Sequence, residues 1–267
     1  MTGWLAGATA LAGLGFSARY HWWRPRLPGI PILMYHQVTD RLAGTPLPKL
    51  RVSPRRFAAQ LDHLAAAGYA TLTLGQAWAA AQGGSQAGSL GRFVVLTFDD
   101  AYLDFYETAW PLLSARGMTA TVFVVSGEIG GVNAWDLAKG LPQERLMSAA
   151  QIRELAAAGV EFGGHGHRHL ALTGLDHLAL AEELEACQLG LTGLLGAPVN
   201  TFSYPFGLTD ARVATATAAA GFGLACSTRP GMLSAADDPL ALGRIMIKRA
   251  DDGLDFRLKI SRARSRW

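Results

Sequence analysis

Short apolar runs that alternate with helical segments restrict this chain to a few folds. The run Phe93–Phe98 contains apolar residues and one threonine, as expected of a strand buried on both faces. Similar runs begin near Ile32, Thr119 and Val160, each within a strand–helix repeat. The pattern predicts about seven parallel strands covered by helices. A partly closed barrel and an open, doubly wound sheet both fit it.

Capping residues mark several helix boundaries. The segment Arg51–Ala67 has Ser53 at an N-cap position, followed by a proline. Ser148 and Gln151 form the pattern of a capping box at the start of a predicted helix. The chain has no GxGxxG turn after its first strand and no P-loop, which excludes the usual nucleotide-binding folds.

The N-terminal segment differs from the rest of the chain. Residues 2–18 carry no charge, and as a helix they would reach roughly 25 Å, slightly less than a bilayer core. Trp22 and Trp23 suit a membrane interface. We expect residues 1–28 to be a short membrane anchor or signal-like segment, followed by one domain over 29–267. The arginines that follow the apolar run favour the cytoplasmic side over the periplasmic side.

The formal net charge is only +3, which does not indicate a nucleic-acid partner. Basic residues cluster after the apolar run and again over residues 257–266. Such clusters suit anionic lipid headgroups, and they suit solvated chain ends equally well. A membrane surface is the expected partner of the N-terminus, and no feature indicates an obligate protein partner.

Two neighbouring carboxylates, Asp99 and Asp100, follow the buried run that ends at Phe98. Active sites of parallel α/β folds assemble at such strand ends. Two adjacent carboxylates there are costly unless a positive group neutralises them. The alternative is a structural one, in which Asp100 caps the helix that follows.

Three histidines follow a later strand, at 165, 167 and 169. One helical turn would bring His165 and His169 to the same side and turn His167 away. Two imidazoles and one carboxylate, with one position left open, are typical of a catalytic zinc or other divalent-metal site. We therefore predict that Asp100, His165 and His169 bind a divalent metal.

A third cluster, Tyr204–Gly207, also follows a predicted strand. Pro205 fixes the chain direction, and Gly207 lets the backbone approach a ligand closely. Backbone N–H groups presented in this way can stabilise an oxyanion. The same residues also form ordinary turns, so this cluster alone is a weak signal.

Together the clusters resemble the motifs of polysaccharide deacetylases with a NodB-homology domain, carbohydrate esterase family 4. Thr97–Asp100 resembles the first motif, Gly164–His169 the second and Tyr204–Gly207 the third. The opening Ile32–His36 is similar to the start of many members, and the resemblance runs from about residue 31 to 247. It implies a deformed (β/α) barrel with fewer than eight repeats.

The resemblance also implies roles for individual residues. Asp100, His165 and His169 would bind the metal, usually zinc. Asp99 would be the general base, and the backbone N–H of Phe206 would stabilise the oxyanion.

The chain departs from the family pattern in two places that affect the chemistry. Ser203 stands where the third motif usually has arginine, so another cation must orient Asp99, and Arg244 is the candidate. The histidine of the fifth motif is not visible, which leaves His36 as a candidate general acid or a structural histidine. The candidate substrate-binding residues are Trp135, Tyr204, Pro205 and Arg244.

The sequence thus predicts a metal-dependent hydrolase that removes N-acetyl groups from hexosamines of a cell-envelope polysaccharide or glycolipid. A deformylase or O-deacetylase acting on a lipid-linked sugar would use the same site. A non-catalytic glycan-binding protein with the same fold is the alternative from another functional class.

Overall fold

The computed structural model describes residues 23–42, 44, 47–83 and 92–264. Most of the predicted N-terminal anchor, residues 1–22, lies outside the described residues. Within the described ranges, no helix has both the length and the apolar character needed to cross a membrane.

The described part of the chain contains eleven strands and seven α-helices. The strands are β1 (Ile30–Tyr35), β2 (Gln37–Val38), β3 (Arg51–Val52), β4 (Tyr69–Leu72), β5 (Arg92–Phe98), β6 (Thr121–Val124), β7 (Glu161–Gly164), β8 (Thr201–Ser203), β9 (Leu224–Cys226), β10 (Met232–Leu233) and β11 (Ile245–Met246). The helices are α1 (Pro54–Ala66), α2 (Leu74–Gln82), α3 (Trp110–Ser114), α4 (Ala149–Ala157), α5 (His177–Leu195), α6 (Ala211–Ala219) and α7 (Gly253–Arg262).

Nine of these strands form one curled half-barrel sheet, in the order β10-β1-β5-β6-β7-β8-β9. Strand β4 also pairs with β5, and β11 also pairs with β1. Strand β10 runs antiparallel to β1, whereas the other pairings in this sheet are parallel. The predicted deformed barrel of about seven mostly parallel strands is confirmed.

A short segment, residues 242–246, connects the two ends of the half-barrel. Leu242 forms a parallel bridge with Cys226 at the end of β9. Three residues further on, at Ile245, β11 begins and pairs with β1. Arg244 lies within this connecting segment, so its side chain starts between β9 and β1.

Packed aromatic rings support the carboxyl end of β5. The Phe98 ring lies 5.2 Å from Tyr35, 5.8 Å from Phe57 and 4.7 Å from Phe105, measured between ring centroids. All four rings are buried, and each contributes a large apolar area and a defined ring geometry. The two aspartates that follow Phe98 therefore sit on a rigid base.

The predicted caps are present, although one helix boundary differs. Ser53 accepts a hydrogen bond from the Arg56 N–H, and Ser148 with Gln151 forms the capping box of α4. The first helix begins at Pro54 and not at Arg51, because Arg51 and Val52 pair with β2. The helix predicted after Asp100 is present and includes a π-helical turn, Phe105–Ala109, before α3.

Candidate active site

Residues from three strand ends line a single cleft of about 320 Å³. Asp99 and Asp100 follow β5, His165 and His169 follow β7, and Phe206 follows β8. The structure therefore brings together the residues that the three sequence clusters predicted. Parallel strands place their carboxyl ends at one edge, which explains why residues distant in sequence meet here.

Asp100, His165 and His169 converge on one point. The Nε2 atoms of both histidines lie 3.4 Å from Oδ1 of Asp100, and the three potential ligand atoms all lie within 4.8 Å of one another. His165 donates from Nδ1 to the Ser203 carbonyl oxygen at 2.6 Å. Its Nε2 lone pair is therefore available on the Asp100 side.

The donor set fits a divalent cation. Oδ1 of Asp100 is buried and accepts no hydrogen bond from any described residue, an arrangement that is costly without a positive partner. Burial opposes ionisation of Asp100, but the two neighbouring imidazoles outweigh it and hold its pKa below the ordinary value. Burial lowers the pKa of His169 to about 4, which keeps that imidazole neutral, as a metal ligand requires.

The loop after β7 corrects one sequence prediction, because His165 and His169 are not on a helical turn. The backbone adopts positive φ at Gly166 (79°) and at His169 (59°), which folds both imidazoles toward Asp100. Asp100 itself has φ of 74°. A non-glycine residue rarely adopts this conformation, and such strain often occurs at functional sites.

Contacts from two other elements hold this loop in place. Glu183 of α5 is 1% exposed, and its carboxylate accepts hydrogen bonds from the Arg168 backbone N–H (2.6 Å) and from Arg168 Nε (2.9 Å). His167 turns away from the cleft, as predicted, and its Nδ1 lies 2.9 Å from Ser126 Oγ. Glu183 has no signal in the sequence, because nothing in α5 distinguishes it from a solvent-exposed glutamate.

Arg244 orients Asp99 from the connecting segment. Its Nη1 lies 2.6 Å from Asp99 Oδ1, and its Nη2 lies 2.8 Å from Asp99 Oδ2. Nη2 also donates to Ser203 Oγ at 2.9 Å. Ser203 is the residue that replaces the arginine of the family motif. Burial raises the pKa of Asp99, but the Arg244 guanidinium outweighs it and the net pKa is lowered.

Two predicted substrate contacts require correction. Arg244 is 1% exposed, and its remaining donors face Thr97 Oγ1 and the Ser227 carbonyl oxygen. All of its N–H groups are therefore directed at protein atoms, so Arg244 does not bind the substrate. Pro205 is also buried and does not line the cleft. Tyr204 does line the cleft, although its hydroxyl donates to the Leu240 carbonyl oxygen.

Trp135 and Phe206 flank His169 on the open side of the cleft. Their ring centroids lie 4.6 Å and 4.7 Å from the His169 ring. His36 follows β1 and also lines the cleft. Its Nδ1 is buried and makes no hydrogen bond to a described residue.

The outer wall of the cleft contains two residues that the sequence did not reveal, Arg51 and Asn133. Arg51 pairs with Glu144 at 2.7 Å, and the Glu144 N–H donates to Asn133 Oδ1 at 2.6 Å. Asn133 Nδ2 in turn donates to Asp136 Oδ2 at 2.9 Å. These contacts join β3 to the loop that carries Trp135, and no local pattern predicts contacts over such sequence distances.

A curled parallel sheet that carries an Asp–Asp pair and two histidines at its carboxyl edge defines a deacetylase of the NodB type. The sequence model of the polysaccharide deacetylase family matches residues 88–225, just over half of the chain. The protein therefore belongs to the polysaccharide deacetylase family.

Comparison with individual proteins agrees with this assignment. The chain is 27% identical to YxkH of Bacillus subtilis (strain 168) over 227 residues, which cover 85% of this chain and 74% of YxkH. The deacetylase PplD of Streptococcus pyogenes, solved in complex with acetate, has a similar structure with a TM-score of 0.73. The match covers 88% of this chain and 99% of PplD, with 25% sequence identity. A poly-β-1,6-N-acetyl-D-glucosamine N-deacetylase of Staphylococcus aureus (strain N315) is 28% identical over 128 residues, which cover 45% of this chain and 42% of that protein.

Proposed function

We propose that this polysaccharide deacetylase is metal-dependent and removes N-acetyl groups from hexosamine units of a cell-envelope polysaccharide or glycolipid. The observation that carries the proposal is the convergence of two imidazole nitrogens on the buried, unpartnered Oδ1 of Asp100. Asp100, His165 and His169 would hold the metal, and zinc suits this donor set. When bound, such a metal supplies Lewis-acid activation of water and of a carbonyl group. The name of the Staphylococcus aureus relative supports a hexosamine substrate.

The residues around the cluster would carry out the proton transfers. Asp99 would accept a proton from the attacking water, because Arg244 keeps its carboxylate ionised and oriented. The water oxygen would bond to the acetyl carbon, and the backbone N–H of Phe206 would stabilise the developing oxyanion. His36 would donate a proton to the nitrogen as the C–N bond breaks. The products are acetate and a free sugar amine.

Acetate release from N-acetylglucosamine oligomers, with and without a chelator, tests metal dependence directly. We expect the chelator to abolish turnover and added Zn²⁺ to restore it. His169→Ala should lose both the bound metal and the activity. His167→Ala is the matched control, because His167 lies in the same loop but contacts Ser126, and it should keep its metal. Full acetate release by metal-free protein would contradict the proposal.

The assignment of His36 needs its own measurement. His36→Ala should lower kcat by about 10²-fold or more, the usual contribution of a general acid, while metal content stays at the wild-type level. Turnover unchanged in this variant would remove His36 from the mechanism.

The same substrates distinguish the related activities. A deformylase would release formate from N-formyl sugars and leave N-acetyl sugars intact. An O-deacetylase would release acetate without forming a free amine.

We also propose that residues 1–28 associate the protein with the membrane of a bacterial cell envelope, with the cytoplasmic side favoured. The uncharged stretch of residues 2–18 and the arginines after it support this proposal. Cell fractionation, followed by protease treatment of intact spheroplasts, tests both association and side. Recovery of the full chain in the soluble fraction would contradict it.

A further inference from the structure

The outer part of the cleft carries several apolar side chains that the proposed reaction does not use. We call this surface the apolar rim. It consists of cleft-lining residues from three segments, namely Leu47, Leu50, Trp135, Leu141, Pro142 and Phe206. The rim and Asp100 line the same cleft, so a substrate larger than its reacting group can extend from Asp100 onto the rim.

Two side chains of the apolar rim are strongly exposed. Leu47 is 45% exposed and Phe206 is 48% exposed. Across the described ranges, nine large apolar side chains are exposed, and Leu47 and Phe206 are the two that line the cleft. Single exposed leucines are ordinary, but apolar groups gathered around one cleft indicate a bound apolar partner.

Two polar side chains of the same wall, Arg51 and Asn133, are directed at protein atoms. Both ends of the Asn133 amide are engaged, with Oδ1 accepting from Glu144 and Nδ2 donating to Asp136 and to the Pro142 carbonyl oxygen. The Arg51 guanidinium donates to Glu144 and to the Arg41 carbonyl oxygen. These groups are therefore poorly placed to bind the hydroxyls of further sugar units.

We propose that the hexosamine deacetylated at this site carries an apolar aglycone, an alkyl or acyl chain that lies along the apolar rim. The inference rests on the proposed function, because the N-acetyl group at Asp100 fixes where the rest of the substrate lies. The cleft volume of about 320 Å³ is at the lower end for small-ligand sites. It suits one sugar with an adjoining chain better than several consecutive sugars.

A series of substrates tests the proposal on the full chain loaded with Zn²⁺. The series consists of methyl, butyl and hexyl glycosides of N-acetylglucosamine, each used below its critical micelle concentration, and N-acetylglucosamine trimers. Each methylene that the rim covers should raise kcat/KM by about fourfold, equivalent to about 0.8 kcal/mol. We expect the hexyl glycoside to exceed the methyl glycoside by at least 10-fold, and the trimers to show no such advantage.

Variants show whether the rim is responsible. Leu47→Asn combined with Leu141→Asn should reduce the ratio of hexyl to methyl kcat/KM toward one. The matched control is Leu178→Asn combined with Leu189→Asn, since these α5 leucines are 78% and 73% exposed and lie outside the cleft. The control should keep the wild-type ratio.

The outcomes separate the two proposals. If no N-acetyl glycoside of any length releases acetate, the proposed function itself fails. If the methyl glycoside and the trimers are deacetylated as well as the hexyl glycoside, or if both variant pairs change the ratio equally, the function stands and the apolar aglycone is refuted.

Discussion

Replacing Arg244 with methionine tests the most consequential contact in the site. Methionine keeps an unbranched, apolar side chain of similar length, but it leaves the Asp99 carboxylate buried without a cation. Asp99 is 3% exposed and would lose hydrogen bonds of 2.6 and 2.8 Å. Removing one partner of a buried ion pair typically costs about 3–5 kcal/mol. At roughly 2–4 °C for each kcal/mol, Tm should fall by about 6–20 °C.

Urea denaturation of the metal-free protein measures this cost without reference to activity. A double-mutant cycle with Asp99→Asn isolates the pair, because the doubly substituted protein contains neither charge. We expect a coupling energy of at least about 2 kcal/mol between positions 99 and 244. Arg153→Met, on the exposed face of α4, should change stability by less than about 0.5 kcal/mol. A loss below about 1 kcal/mol for Arg244→Met, with additive effects in the cycle, would refute the reasoning.

An exchange variant tests whether position matters or only charge. Arg244→Ser combined with Ser203→Arg returns the arginine to the position of the family motif. Ser203 Oγ already lies 2.9 Å from the Arg244 guanidinium, so the new side chain would fill the space that Arg244 vacates. We expect the exchange to recover part of the stability and turnover that Arg244→Ser alone loses. Recovery of neither would show that Arg244 acts in some way other than as the cation of Asp99.

Three further predictions concern residues around the site. Burial raises the pKa of Asp104 to about 7. Between about pH 4 and 7 the folded protein therefore holds a proton on Asp104 that the unfolded chain has released. The free energy of unfolding should fall as pH rises through this range, by a few kcal/mol at most. Asp104→Asn should remove that decline in urea titrations at pH 4.5 and 8, and an unaltered decline would contradict the assignment. Glu183→Gln should weaken Zn²⁺ binding by about 10–100-fold in a chelator competition, because the loop that carries His169 loses its anchor. Gly164→Ala should lower the free energy of unfolding by about 1–3 kcal/mol, measured by thermal unfolding, because a new Cβ would lie 2.9 Å from Cys187 Sγ and two phenylalanine rings. The control is Gly174→Ala, which should be tolerated because the space around Gly174 is open.

The sheet and the metal-ligand candidates were predictable because both depend on local patterns. The run Phe93–Phe98 is apolar throughout except for Thr97, so its place as the central strand β5 follows from burial alone. Asp100 and His165 directly follow strands, and the shared edge of a parallel sheet brings them together. The backbone conformation that places His169 beside Asp100 and His165 was not predictable. Its positive φ values at Gly166 and His169 depend on contacts with Glu183 and the loop at Ser126.

Polar contacts between residues distant in the sequence could not be predicted either. Arg51 and Glu144 are 93 residues apart, and a charged residue in a short strand gives no sign that its partner lies in a distant loop. The glycines of the second motif are a related case. At Gly164 the structure places atoms of Cys187, Phe202 and Phe222 so close that no side chain would fit, and all three residues are distant in the sequence.

The cation that neutralises Asp99 comes from Arg244 and not from position 203, where the family motif has arginine. A buried carboxylate beside a metal-ligand cluster needs a cation, and this requirement follows from electrostatics whatever the surrounding sequence. It does not specify which strand carries the cation. In this chain the connecting segment, residues 242–246, passes beside the carboxyl ends of β5 and β8, so a guanidinium from there reaches Asp99, Thr97 and Ser203 together. The absence of arginine at position 203 is therefore no sign of lost activity, because the charge that the site requires is supplied 41 residues later.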